Sequence, residues 1–449
     1  MSSILIKNGI LVNEGRSFKR DIFIVDGRIA KIVDNFTTSD HNPAISNNTI
    51  IDAEGMFVIP GIIDDQVHFR EPGTIHKGDI GSESAAAVLG GVTSYMDMPN
   101  NNPPAITIDD VKAKERIAEQ NSYANYSFYL GATNDNIVEI LSVDPTQTCG
   151  IKVFMGSSTG NMLVDNEAAL NRIFAESPTL IATHCESESI IKENLRLAIE
   201  KYGEGTIPFS EHSIIRSRKA CIESTKRAIA LALKYNTRLH ILHISTKEEI
   251  ELIKNSGSNR ITGEVCIHYL LFDDTHYNRL GSKIKCNPAI KSSEDREAIV
   301  KAVKEGIIKV VATDHAPHTL QEKENTYLNS PSGLPLVQHS LQLMMEMRTA
   351  GIFTIEEIVD RMCHSPALNF GVKERGFLRE GYFADIVIVD PAKRYDMRHN
   401  KPQYKCGWSP FESTIFGSTI VCTIVNGALA VSDGKLTGHR GGQKMLFER

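Results

Sequence analysis

Eight short apolar runs recur between residues 58 and 317, with helical patterns between most of them. In order they are VIPGIIDDQVH, GVTSYMDMPN, YSFYLGAT, GIKVFMGS, TLIATHCE, RLHILHIS, ITGEVCIHYL and IKVVATDHAP. Intervening segments such as KGDIGSESAAAVLGG, TIDDVKAKERIAEQ, RKACIESTKRAIALALKY and SEDREAIVKAVKEG read as helices. Repeated strand–helix units predict a parallel sheet, and eight of them predict a closed (β/α)8 barrel of the TIM type. The alternative is an open doubly wound sheet, but no G-x-G-x-x-G follows the first strand. The two chain ends differ from this middle. ILIKNGILV, DIFIVDGRIAKIV and TIIDAEGMFVIPG alternate with period two around N-G and D-G pairs, which mark hairpins, and ADIVIVDP and STIVCTIVNGALAVSDGK repeat the style. We expect residues 1–55 and 375–449 to meet as one small composite β-sandwich domain, and residues 56–374 to form the barrel. A length of 449 residues suits that division.

In a barrel the C-terminal ends of all strands open on one face. Seven of the eight runs end in a chemically useful side chain: His68, Asn100, Lys152, His184, His243, His268 and Asp314. These residues should therefore converge. Composition narrows what they could serve. A net charge of −6 argues against a nucleic-acid or anionic-membrane surface. No run is long enough to span a bilayer, and the N-terminus lacks the basic and apolar regions of a signal peptide. The eight cysteines are scattered without a C-x-x-C pair, as expected of reduced thiols in a cytoplasmic protein, and they argue against a cysteine-ligated zinc.

The strand-end set has the chemistry of a divalent-metal site. Gln66 and His68 are two apart, so both can aim inward from one strand. The spacing is that of an H-x-H pair with the first histidine replaced. His184, His243 and Asp314 add two imidazoles and a carboxylate, donors that suit zinc and similar ions. His240 has odd spacing to His243 and is expected to face the helices. Lys152 lies mid-strand, where burying its charge is costly. A neutral amine there can take up carbon dioxide as a carbamate and bridge two metals; a lysine reaching solvent or pairing with a carboxylate is the other reading. Asp314 can ligate and shuttle a proton, or simply cap the next helix. Arg70, Asn100, Asn287 and His318 can hold an anionic substrate, although a surface salt bridge and turn positions would also account for the arginine and the asparagines. GSSTGNM, residues 156–162, does not fit a P-loop and is expected to be a mobile loop near the site.

HFREPG, MPNNNPP, GIKVFMG, ATHCE, ILHIS, GEVCIHYL and ATDHAPH, in this order, resemble the motifs of the dihydroorotases of the amidohydrolase superfamily. The β-rich ends, including REGYFADIVIVD, resemble that superfamily's composite sandwich. The resemblance implies a binuclear zinc enzyme. His68, with the position of Gln66 and Asp314, would bind one ion, His184 and His243 the other, and a carboxylated Lys152 would bridge them. Asp314 would be the general acid/base. Arg70, Asn100 and His318 would hold the substrate's α-carboxylate, Asn287 would lie in a substrate loop, Gly333 and Leu334 would meet the pyrimidine ring, and His268 would lie near the site. The reaction implied is the reversible cyclisation of N-carbamoyl-L-aspartate to L-dihydroorotate in pyrimidine synthesis, with a metal-bridging hydroxide attacking in the hydrolytic direction. A homodimer is the associated expectation, with aspartate transcarbamoylase as a further partner to consider. Hydantoinases, dihydropyrimidinases and allantoinases share the scaffold, and a non-catalytic partner of aspartate transcarbamoylase is the other alternative. Glutamine is a weaker donor than imidazole, so the expectation is an active enzyme, with one or two ions per subunit and asymmetric metal affinity.

Overall fold

The strands of the first 60 residues divide between two sheets. The computed structural model describes residues 2–36, 47–156 and 162–449. It begins with β1 (Ser2–Lys7), β2 (Ile10–Asn13), β3 (Arg16–Lys19), β4 (Asp21–Val25), β5 (Arg28–Val33), β6 (Asn47–Asp52) and β7 (Phe57–Pro60). The barrel strands follow: β8 (Ile62–Val67), β9 (Val92–Asp97), β10 (Asn125–Phe128), β11 (Leu130–Gly131), β12 (Ile151–Phe154), β13 (Ile181–His184), β14 (Leu239–Ile241), β15 (Ile261–Cys266) and β16 (Val310–Ala312). The chain closes with β17 (Ile386–Asp390), β18 (Tyr395–Asp396), β19 (Ile415–Phe416), β20 (Thr419–Val425), β21 (Ala428–Ser432) and β22 (Lys435–Leu436).

All eight apolar runs form barrel strands, with β10 and β11 together filling the third position. Their neighbours pair in parallel from β8 round to β16, and a parallel bridge between Val67 and His315 closes the ring. Helices follow because their starts are capped. Asp79, Thr107, Thr246 and Ser292 each accept a hydrogen bond from the third residue of the helix they precede, and that residue's side chain answers. The main core lies between strands and helices, where Val92, Ile151, Ile181 and Val265 face residues such as Val88, Ile173 and Ile299. A second apolar cluster fills the lower end of the barrel with Ile63, Met96, Tyr129, Ala182 and Phe370.

One seven-stranded sheet, β22-β21-β20-β17-β7-β2-β3, joins strands from both ends of the chain. A four-stranded sheet, β5-β4-β1-β6, faces it, and Ile6, Ile22, Leu11, Val58 and Ile386 fill the space between. The D-G pair at 26–27 turns a hairpin from β4 to β5, and 426–427 and 433–434 do the same for β20–β21 and β21–β22. Asn8–Gly9 does not. β1 pairs with β4 and β6, whereas β2 pairs with β3 and β7, so this N-G carries the chain from one sheet to the other. A side chain at Gly9 would meet Val58 at 2.4 Å, and the close approach of the two sheets requires a glycine there. The last residues also leave the sandwich, although 375–449 was expected to belong to it. Met445 and Phe447 lie in the cluster at the bottom of the barrel, and Arg449 donates to the carbonyls of Phe370, Thr148 and Cys149.

Candidate active site

The mouth of the barrel holds a cavity of about 270 Å³. Its wall contains Gln66, His68, Arg70, Asn100, Lys152, His184, His243, Asn287, Asp314, His318 and Gly333, all residues singled out from sequence. Two of that set lie behind the wall. Leu334 is buried and receives a hydrogen bond from Ala316 through its carbonyl. His268 is buried with both ring nitrogens unpartnered, and burial pushes its pKa down to about 4. Of the expected GSSTGNM loop, residues 157–161 lie outside the described residues. A larger groove of about 730 Å³ lies among the outer helices around Lys226, Glu251 and Ala302, and holds none of these groups.

Two pairs of donors face each other across the cavity. On one side His184 Nδ1 lies 2.9 Å from His243 Nε2. His184 Nε2 is committed to Glu186, 2.9 Å away, and Glu186 is gripped in turn by the Arg216 guanidinium. If Nε2 carries the proton, Nδ1 presents its lone pair to His243. Burial lowers the pKa of both rings, His243 the more strongly because His184 and Lys152 lie beside it. Two neutral imidazoles with nitrogens this close can share a cation, with the carboxylate behind fixing the ring. On the other side His68 Nε2 lies 3.1 Å from Asp314 Oδ1, while His68 Nδ1 is held by the Asn100 side-chain oxygen at 2.7 Å. Asn100 thus orients a histidine, and its oxygen is not free for substrate. Burial raises the Asp314 carboxyl, but His68, His268 and Lys152 together hold it below the usual range, so it is ionised. Facing nitrogen and carboxylate donors of this kind fit a divalent metal.

Gln66 Nε2 donates to Asp314 Oδ1 at 3.2 Å, so the amide steers the carboxylate. Lys152 is only 1% exposed, which removes the reading of a lysine reaching solvent. Its Nζ stands 4.7 Å over the Phe154 ring, and burial lowers its pKa to about 8 despite Asp314 and Glu264 nearby. Arg70, Asp314 and His243 all have left-handed backbones, with φ of 69°, 49° and 41°. Such conformations cost on the order of 1–3 kcal/mol each in non-glycine residues and gather at functional sites.

His240 corrects an expectation. It faces the barrel interior and lies 3.0 Å from Asp65. Parity counted back from His243 fails because β14 ends at Ile241 and the left-handed turn at His243 swings its ring inward. Sequence reasoning also missed the groups that hold the site. Glu186 was visible as an acid two residues beyond a strand-end histidine. Arg216, Lys323 and Trp408 carried no local signal. The Trp408 indole donates to the His318 carbonyl at 2.7 Å, from a segment far along the chain.

One corner of the cavity gathers Arg70 and His318, with Lys77, itself paired with Glu322 at 2.9 Å, behind them. Arg70 donates to the Pro317 carbonyl at 3.0 Å and lies 3.0 Å from His318 Nε2, while Lys77 Nζ lies 3.0 Å from His318 Nδ1. Burial and these cations push the His318 ring well below its ordinary pKa, so it is neutral. Among the described residues no carboxylate forms an ion pair with Arg70. Gly333 brings the loop after β16 against this corner: a Cβ there would meet the Ala316 carbonyl at 2.4 Å, and its φ is 141°.

The amidohydrolase family profile matches residues 57–430. The chain belongs to the amidohydrolase family and is a metal-dependent cyclic amidohydrolase. Among curated relatives, a dihydroorotase of Pyrococcus furiosus is 29% identical, covering 98% of this chain and 96% of its own. One of Bacillus pumilus is 31% identical over 97% of this chain and 99% of its own. Among solved structures, an L-hydantoinase (dihydropyrimidinase) from Arthrobacter aurescens superposes with a TM-score of 0.93 at 26% identity, covering 99% of this chain and 100% of that one. Among the described residues no helix is long and apolar enough to cross a membrane.

Proposed function

We propose that the protein is a dihydroorotase, closing N-carbamoyl-L-aspartate to L-dihydroorotate and water, and the reverse. The observation that carries this reading is Arg70. It is a guanidinium in the cavity wall that donates to the Pro317 carbonyl and lies beside the neutral His318 ring, with no carboxylate partner among the described residues, so its charge is available for a substrate carboxylate. Dihydroorotate has that carboxylate, whereas hydantoin and dihydrouracil lack it. The full-length curated dihydroorotases support the same choice. In this reading His68 and Asp314 would hold one divalent ion, His184 and His243 would hold a second, and Lys152, if carboxylated, would supply a further oxygen donor. Gln66 acts through Asp314 rather than as a ligand. When bound, such ions lower the pKa of water and polarise an amide carbonyl.

The remaining work falls to the chain's own groups. Arg70, with Asn287, fixes the substrate so that its ring amide faces Asp314. The Asn287 side-chain oxygen is buried and unpartnered, ready for a ring N–H. Asp314 takes the proton of the attacking water and delivers it to the leaving ring nitrogen, and in the cyclising direction the same carboxyl runs in reverse. We place the division of units near residues 55 and 375, and the enzyme in the cytoplasm as a homodimer.

The test is a substrate panel. Purified protein with its metal content measured should turn over L-dihydroorotate far faster than hydantoin, dihydrouracil or allantoin. Preference for hydantoin or dihydrouracil would replace this reading with that of the hydantoinase-like neighbour. Metal-free protein that stays inactive after zinc or manganese is added would leave only the non-catalytic alternative.

A further inference from the structure

Below the mouth, three ionisable side chains from three strands meet inside the barrel. Asp65 of β8, His240 of β14 and Glu264 of β15 are all 0% exposed. His240 Nε2 lies 3.0 Å from Asp65 Oδ2 and 3.8 Å from Glu264 Oε2, and one ligand atom from each residue lies within 4.8 Å of the others. The outer nitrogen of the ring is already committed. His240 Nδ1 lies 2.7 Å from the Thr262 hydroxyl, which itself donates to the Asn369 side-chain oxygen at 3.0 Å. The Asn369 side-chain nitrogen also lies 3.1 Å from Nδ1, so in the metal-free ring a proton on Nε2 faces Asp65, and a metal ion would take the place of that proton. Asp65 Oδ1 and Glu264 Oε2 have no hydrogen-bond partner.

Two carboxylates converging in a dry interior are costly, and a positive charge must balance them: a proton on His240, which they hold against the effect of burial, or a metal ion in its place. Two carboxylates and a neutral imidazole carry a charge of −2, which one divalent cation cancels without leaving net charge in the core. One nitrogen and two carboxylate donors match the preferences of zinc, manganese and ferrous iron. Thr262 behind the ring supplies the outer hydrogen bond that metal-binding histidines use to fix their orientation.

We propose that Asp65, His240 and Glu264 bind a divalent transition-metal ion inside the barrel, separate from the ions assigned above to the mouth. The site reaches the mouth through Glu264. Its Oε1 accepts the backbone N–H of His243 at 3.1 Å, where the left-handed backbone aims the His243 ring. A cation on Oε2 would anchor the carboxylate that holds this turn, so the interior ion is structural and supports a mouth ligand.

The test is an anomalous-difference map from crystals of full-length protein produced in zinc-supplemented medium, together with zinc counted per chain. The expected result is a peak about 2.0–2.1 Å from His240 Nε2, the usual zinc–nitrogen distance, and the loss of one zinc per chain in Asp65→Asn. The His184→Ala protein should keep the interior peak while losing zinc at the mouth. Peaks at the mouth alone, with Asp65→Asn binding as much zinc as the parent, would overturn the proposal and leave a shared proton in the cluster. An interior peak alone would instead overturn the assignment of the mouth ligands. If Asp65→Asn does not fold, the map of the parent protein decides.

Discussion

Asp314 carries more of the proposed chemistry than any other residue, and the structure shows how it is aimed. Its left-handed backbone turns the carboxylate into the cavity, where Gln66 and His68 share Oδ1. Asp314→Asn keeps the shape and most of the hydrogen bonds but cannot take a proton. Turnover of dihydroorotate should fall roughly 10²–10⁴-fold, the usual worth of general acid–base catalysis, with an unchanged circular dichroism spectrum. Gln66→His asks a different question, because it restores an imidazole where the amide now only steers Asp314. Zinc affinity at the weaker mouth ion should rise at least tenfold, about 1.4 kcal/mol, as read by competition with a chromogenic chelator. No change in affinity would mean that position 66 stands outside the coordination sphere. The strand-end residues were legible in the sequence because a barrel brings all its strand ends to one rim, and only residue type and position were needed. His240 was misread because parity holds only while a strand stays regular, and β14 stops before His243.

At the scale of elements, the loop after β16 decides how the substrate end of the cavity is shaped, and one lysine ties it down. Lys323 Nζ donates to the carbonyls of Lys285, Pro331 and Gly333 at 3.2, 2.9 and 3.0 Å, and burial lowers its pKa to about 7. Lys323→Met fills similar space but leaves the Pro331 and Gly333 carbonyls unsatisfied, at about 1–3 kcal/mol for each such group, while the Lys285 carbonyl keeps the Gly333 N–H. The loop bearing Gly333 should loosen, so KM should rise roughly tenfold, about 1.4 kcal/mol, with kcat much less affected. Steady-state kinetics separate the two, and a fall in kcat alone would show that Lys323 acts on the chemistry. The eight strands and the capped helices were readable because apolar period and capping residues are local properties. The Asn8–Gly9 crossing was not, since its pair signals a turn without saying which sheet the chain enters next. The partners of Lys323 are likewise set by folding and not by spacing.

The whole molecule buries several imidazoles in neutral form, and this sets its response to acid. His212 lies 2.8 Å from the Tyr327 hydroxyl and 2.7 Å from the Cys286 carbonyl, an arrangement that a ring with one proton satisfies completely. Burial, with Lys285 and Arg216 nearby, holds its pKa well below the ordinary value. His339 is stacked on Phe416 with ring centroids 5.8 Å apart, and burial lowers its pKa to about 3. In the unfolded chain both rings titrate near 6.5. Between that pH and the folded pKa the unfolded state binds more protons, so stability rises with pH in this window. The contribution is full above about pH 6.5 and is lost as the pH falls, by roughly 2–3 kcal/mol for His339 at pH 4.5. His339→Phe keeps the stack on Phe416 and removes the titrating group. Urea unfolding at pH 7.5 and pH 4.5 should therefore show a smaller acid loss in His339→Phe than in the parent, by about that amount. An identical loss in both proteins would show that acid acts elsewhere, through the carboxylates at the mouth and inside the barrel.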